Sequence, residues 1–320
     1  MKVILSLMLC IVLLIPCCVA EGGFFEYRFA DAEEAAKLRL SNRDYFESMT
    51  QNDLNYRMQK LDATLSEFEA FAAAQFMDFT DAEKAAIDEA MARIEGVCAE
   101  RGYSLPTTDG IVFCKSTMDD ECDAGGYTHG TQIYLGETLL AFGCSGNPGA
   151  SEYLDTVVFH ELFHCLTRNH PDFRAEMYGI LGFTVTGQDF DLADSVKEKM
   201  ISNPDVEHHD AWATFDIDGE AVDCVVVFAA GKPFEKPGDS FFDGMVTGLV
   251  PINDLSTMYT SDNAAYFRDV FGENTPYVID PEETMADNFS FTIVYGEDGM
   301  DYPTPEIIEK IEACLKEEAA

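Results

Sequence analysis

The sequence predicts an α+β fold, a helical N-terminal region followed by a part in which strands and helices mix. Three observations carry this. Residues 24 to about 104 repeat apolar side chains at spacings of three and four, as in Leu54, Met58, Leu61, Leu65 and Phe68. From Gly110 the texture changes to β-rich runs at residues 111–114, 126–135 and 221–229. Between and after these runs lie further helix starts, marked by capping residues and prolines.

Each element has its own signal. Thr80 followed by Glu83 at the third position reads as a capping box, leading into Ala86, Ala90, Ile94 and Val97. Gly102 and Pro106 end that helix. Ser151 reads as the N-cap of the next long helix, with Glu152 in its first turn. Pro171 marks a break, beyond which Phe173, Met177 and Leu181 continue a helical spacing. Two late helices begin at Pro281 and Pro305. No internal repeat or low-complexity tract interrupts this order. The expected divisions are 1–20, 21–105 and 106–320.

Composition narrows the function. Of 320 residues, 47% are hydrophobic and 12% aromatic, enough for a packed core. With 59 acidic against 20 basic residues, the formal charge of −39 disfavours nucleic acid or an anionic membrane as partner. Lys2, the apolar run 3–16 and Cys18-Val19-Ala20 form a signal-peptide pattern with cleavage expected after Ala20. Pro16 before Cys17 departs from a lipoprotein signal. The expectation is an exported protein, secreted or periplasmic, with no stable membrane insertion after cleavage. Cys98, Cys114, Cys122, Cys144, Cys165, Cys224 and Cys314 would remain. An oxidising compartment permits disulfides among them, and an odd count leaves one free; Cys165, which lies beside the His pair of the long helix, is the expected free thiol.

The chemistry centres on Val157-Val158-Phe159-His160-Glu161-Leu162-Phe163-His164-Cys165-Leu166, which contains H-E-x-x-H. Histidines four apart lie one turn apart on a helix face, so His160 and His164 can reach one ion. Glu161 lies about 100° round the helix, placed to touch a water on the metal without ligating it. The expected cofactor is Zn2+ and the expected reaction is attack of water on an amide, with Glu161 as general base.

Two histidines leave zinc short of a protein ligand, and the sequence offers two candidates. His160 to His170 has the H-E-x-x-H-x-x-G-x-x-H spacing of metzincin peptidases, with Met177 where a Met-turn would fall. Thr167 stands in place of the glycine that lets the chain turn there. The other candidate is Glu283. Asp280 and Pro281 start its helix, and Asp287 lies at i+4 on the same face, able to orient a ligand histidine. Glu282 has Ala286 at that spacing, so Glu283 is favoured. A plain capping-box role for Glu283 is the simpler alternative.

HELFH with PEETMADNF resembles the gluzincin, thermolysin-like metallopeptidases. YTHGTQIYLGE, HELFHCLTRNHPDFRAEMYGILGF, ISNPD and GENTPYVIDPEETMADNF are similar to exported bacterial H-E-x-x-H proteins. The resemblance implies a zincin-like catalytic part. His160, His164 and Glu283 would ligate zinc, Glu161 would act as base, and Asp287 would support a ligand histidine. It does not give a substrate; a peptide or protein is the expected partner, and a zinc-binding protein without turnover is the alternative of another class. Tyr178, His208 and His209 are candidate oxyanion donors. His129 reads as an exposed strand residue. The run 126–135 is expected to rim the cleft as an edge strand and to pair with an extended substrate.

Overall fold

The structure is a computed structural model that describes residues 25–317; the signal peptide expected at 1–20 lies outside the described residues. The chain opens with strand β1 (Tyr27–Phe29) and helices α1 (Ala32–Ser41), α2 (Arg43–Ser48), α3 (Gln51–Met58) and α4 (Leu65–Ala73). Asp31, Thr50 and Thr64 cap α1, α3 and α4 by accepting an N–H three residues on. Strand β2 (Phe76–Met77) precedes α5 (Asp81–Arg101), which has the predicted capping box and ends at Gly102 with φ 68°. The expectation of helix throughout residues 24–104 is thus corrected at two points. Both β1 and β2 pair with β3 (Ile111–Ser116), so the N-terminal region shares a sheet with the later part of the chain.

The run 126–135 is a hairpin rather than one strand: β4 (Gly126–His129) and β5 (Gln132–Gly136) are joined by Gly130 and Thr131. Gly130 takes φ 59°, which a glycine adopts without steric cost. The first sheet runs β1-β3-β5-β4, with β1, β3 and β5 parallel and β4 antiparallel, and β2 also lies antiparallel on β3. Of this hairpin only β4 is an edge; residues 132–135 are flanked by β3 and β4.

Helix α6 (Glu137–Gly143) leads to α7 (Ala150–Asn169), which starts one residue before the predicted cap. Gly149 at φ 79° is the N-cap, and Ser151 lies within the first turn. His170 ends α7, and α8 (Pro171–Ile180) begins at the predicted break. Then come β6 (Thr184–Val185), α9 (Asp194–Lys197), β7 (Ala211–Ile217), β8 (Glu220–Ala230), β9 (Met245–Pro251), β10 (Tyr259–Thr260) and β11 (Ala264–Ala265). These strands form a second, antiparallel sheet in the order β10-β9-β8-β7-β11, with β6 on β7. Helices α10 (Phe267–Phe271), α11 (Pro281–Val294) and α12 (Pro305–Glu317) complete the chain, the last two starting at the predicted prolines.

The architecture is mixed, with helices packed around one mixed and one antiparallel sheet. At its centre α7 lies against α11 and against β4. Leu154, Val158, Leu162 and Leu166 of α7 share one core with Met285, Phe289 and Ile293 of α11, and the Phe163 and Phe289 rings lie 5.3 Å apart. Helix α11 is buried on nearly every face, which makes it a central rather than a surface helix. Among the described residues no helix is long and apolar enough to cross a membrane.

The expected disulfide is not formed. Among the described residues Cys98, Cys114, Cys122, Cys144, Cys165 and Cys224 form no disulfide, and four of these six are buried. The buried ones sit on separate elements: Cys98 on α5, Cys114 on β3, Cys165 on α7 and Cys224 on β8. Burial raises the Cys165 thiol to about 12, so it packs as a small neutral side chain.

Candidate metal centre

Helical spacing brings the two imidazoles of α7 side by side, with ring centroids 4.8 Å apart. Helix α11 approaches them from across the core. Asp280 caps it by accepting the Glu282 N–H at 2.9 Å, so Glu283 is released from any capping duty. Its Oε2 instead lies 3.1 Å from His160 Nε2 and 3.7 Å from His164 Nε2. Ligands of a tetrahedral zinc, bound at about 2.0–2.1 Å, sit about 3.3 Å apart. These three side chains form a group that could hold a metal ion.

The far nitrogens are held as well. Asp287 Oδ1 lies 2.8 Å from His160 Nδ1, and Thr275 donates its hydroxyl to the other Asp287 oxygen. Glu282 Oε1 lies 2.9 Å from His164 Nδ1, and Glu282 also accepts from Thr167 and Tyr178. With each Nδ1 held by a carboxylate, each Nε2 faces the shared space, that of His160 against Glu283 Oε2. His164 Nε2 is fully buried and has no hydrogen-bond partner. An orphaned acceptor of this kind, facing a second imidazole and a carboxylate, fits a bound cation.

Glu161 projects to one side of this group, against β4. Thr128 Oγ1 donates to its Oε2 at 2.8 Å, and the strand comes so close that a Cβ on Gly126 would stand 2.7 Å from Oε1. Burial raises the Glu161 carboxyl above the usual range, against the pull of His160 and His164. Burial also opposes ionisation of Glu283, but His160, His164 and Asn203 outweigh it and hold that carboxyl low.

The other predicted residues are elsewhere. His170 terminates α7, and its Nε2 lies 2.9 Å from the Thr107 carbonyl, outside the group. Tyr178 is spent on Glu282. His208 is exposed and lies 3.1 Å from Asp189; the His209 backbone N–H donates to the same aspartate. His129 is buried rather than exposed, its Nε2 3.4 Å from Asp44 and its ring against Tyr45. Residues to which the sequence assigned nothing line the site instead. Asn203 donates to Glu283 Oε1, Asp205 Oδ1 lies 3.9 Å from His164 Nε2, and Tyr277 Oη lies 3.4 Å from Glu283 Oε1. Beside them opens a cavity of about 240 Å3 that adds Phe228, Phe241 and Ile279 to Gly126, Asp205 and Tyr277.

The chain matches no protein-family model, no curated protein and no solved structure with which it was compared.

Proposed function

We propose that this chain is a zinc-dependent hydrolase of the gluzincin kind, acting on peptide bonds. The observation that carries the reading is the convergence of His160, His164 and Glu283 around the orphaned His164 Nε2, each imidazole backed by its own carboxylate. His160, His164 and Glu283 would hold the metal. When bound, zinc lowers the pKa of a water in its fourth position and polarises a carbonyl. Glu161, anchored by Thr128, accepts the proton of the attacking water and hands it to the leaving amine. Tyr277 replaces Tyr178, His208 and His209 as the candidate oxyanion donor, because its hydroxyl lies at the site.

The zincin-like fold belongs to this same reading. It is supported by a mixed sheet whose antiparallel edge lies along the H-E-x-x-H helix, with the Glu283 helix across from it. A peptide or protein substrate fits the apolar cavity beside Asp205 and Tyr277. Export and signal cleavage are part of the proposal on the strength of residues 1–20.

Glu161→Gln tests it, because an amide cannot take the water's proton. The variant is expected to keep its zinc and to lose about 10²- to 10⁴-fold in turnover on a peptide cleaved by the wild type. Wild-type activity in Glu161→Gln would refute the mechanism.

A further inference from the structure

Residues 202–207 cross the candidate centre as a strap tied down along its length. Its start is held by α3: Ser202 N donates to Asp53 at 2.9 Å, and Arg57 donates to the Ser202 carbonyl at 2.6 Å. Asn203 donates to Glu283, and its own side-chain oxygen accepts the Asp205 N–H at 3.0 Å. Arg168 of α7 donates to the Pro204 carbonyl at 2.8 Å and pairs with Glu207 at 3.0 Å. Asp205 is thereby turned inward and is 7% exposed.

Two positions that a peptide substrate needs are filled by this segment. The first is the free edge of β4. Thr128 of β4 points its N–H away from β5 and Asp205 accepts it at 2.5 Å; Glu207 accepts the N–H of Gly130, in the turn that follows, at 3.0 Å. The Thr128 N–H, one that an extended substrate pairing with β4 would use, is thus already taken by the strap. The second is the metal's open position. The Asp205 carboxylate lies 3.9 Å from the orphaned His164 Nε2, almost as near as the 3.7 Å of Glu283. It forms a second group with Glu161 and His164, all within 4.8 Å, and His164 is the member shared with the group of His160 and Glu283.

We propose that Asp205 is a fourth protein ligand of the metal, delivered by the strap of residues 202–207, which also caps the edge of β4. This rests on the zinc reading of the same site. Metal binding would draw Asp205 onto the ion and close the site, like a structural zinc site with four protein ligands, and substrate would enter only when the strap lifts from both positions. The clamp from Asp53 and Arg57 makes the N-terminal helices the element that holds it down.

Cobalt substitution of the full chain after signal removal reads the fourth ligand directly. The visible bands of Asp205→Asn should move relative to wild type, and its zinc should pass to excess EDTA at least about tenfold faster, the lower end of what loss of even an outer partner of a ligand costs. Asp205→Asn should also cleave peptides faster than wild type. In the wild type itself, millimolar azide should leave the cobalt bands unchanged, because no exchangeable position is open; this arm holds whether or not the variant folds. Azide binding to wild-type cobalt protein, or a folded Asp205→Asn with unaltered bands and zinc release, overturns the strap and leaves the zinc reading standing. A wild-type chain that takes up neither cobalt nor zinc overturns the zinc reading, and the strap with it.

Discussion

At the scale of single residues, the candidate centre is a set of imidazoles and carboxylates that hold one another, with His164 Nε2 left without a partner. Asp287 and Glu282 have parallel tasks, each accepting from the Nδ1 of one histidine. Asp287→Ala should weaken zinc binding by about 10- to 100-fold, as loss of an outer partner does, with no change of fold. His170→Ala should leave zinc affinity unchanged, because its ring serves the Thr107 carbonyl. Competition against a zinc-binding dye measures both. Equal losses in the two variants would contradict the assignment. The sequence makes Asp287 legible because it shares a helical face with Glu283. The task of Glu282 is hidden, since its partner is not at i+4 on its own helix but on α7. Asn203, Asp205 and Tyr277 carry no motif, and only the fold brings them to the site. Their one signal is membership of the ISNPD and GENTPYVID segments.

At the scale of elements, the helices are readable where a cap or a proline fixes their ends. The capping box at Thr80 and the starts at Pro281 and Pro305 are local chemistry, independent of tertiary contacts. Strands β1 and β2, at three and two residues, are too short to show a period of two, and they exist because β3 offers them an edge. The run 126–135 is legible as β-rich, but its turn at Gly130-Thr131 is hidden by flanking residues that suit strands equally well. The close approach of β4 to α7 makes a prediction of its own. Gly126→Ala would put a methyl 2.7 Å from Glu161 Oε1 and push the carboxylate off Thr128. Peptide turnover should fall at least about tenfold while zinc content stays whole, because the change meets Glu161 and none of the three ligands. A Gly126→Ala chain with unchanged turnover would show that Glu161 needs no such positioning.

At the scale of the whole molecule, buried charge ties the N-terminal helices to the rest of the chain. Arg39 reaches Asp120 and Glu121, and Arg57 joins Asp53, Glu121 and the strap. Asp120 is fully enclosed, and burial raises its carboxyl to about 6 despite Arg39. A folded pKa above the unfolded one means that the folded state binds the proton more tightly. That contribution is complete below the ordinary carboxylate range and is lost as pH rises through about 6. The stability of wild type relative to Asp120→Asn should therefore increase when the pH is lowered from 7 toward 4. Urea unfolding at both values checks this, and parallel pH curves for the two proteins would contradict it. The net charge of −39 is visible in the sequence, but these buried pairs are not, because each joins positions far apart in the chain.

All of these scales meet in one question, whether the three side chains at the centre hold zinc. Metal analysis of the purified full chain, dialysed without chelator, answers it most directly when wild type and Glu283→Ala are measured together. The wild-type chain should carry about one zinc, and the Glu283→Ala variant should be folded and lose its zinc on dialysis. A zinc-free wild type, or a Glu283→Ala chain that keeps its metal as tightly as the wild type, would contradict it.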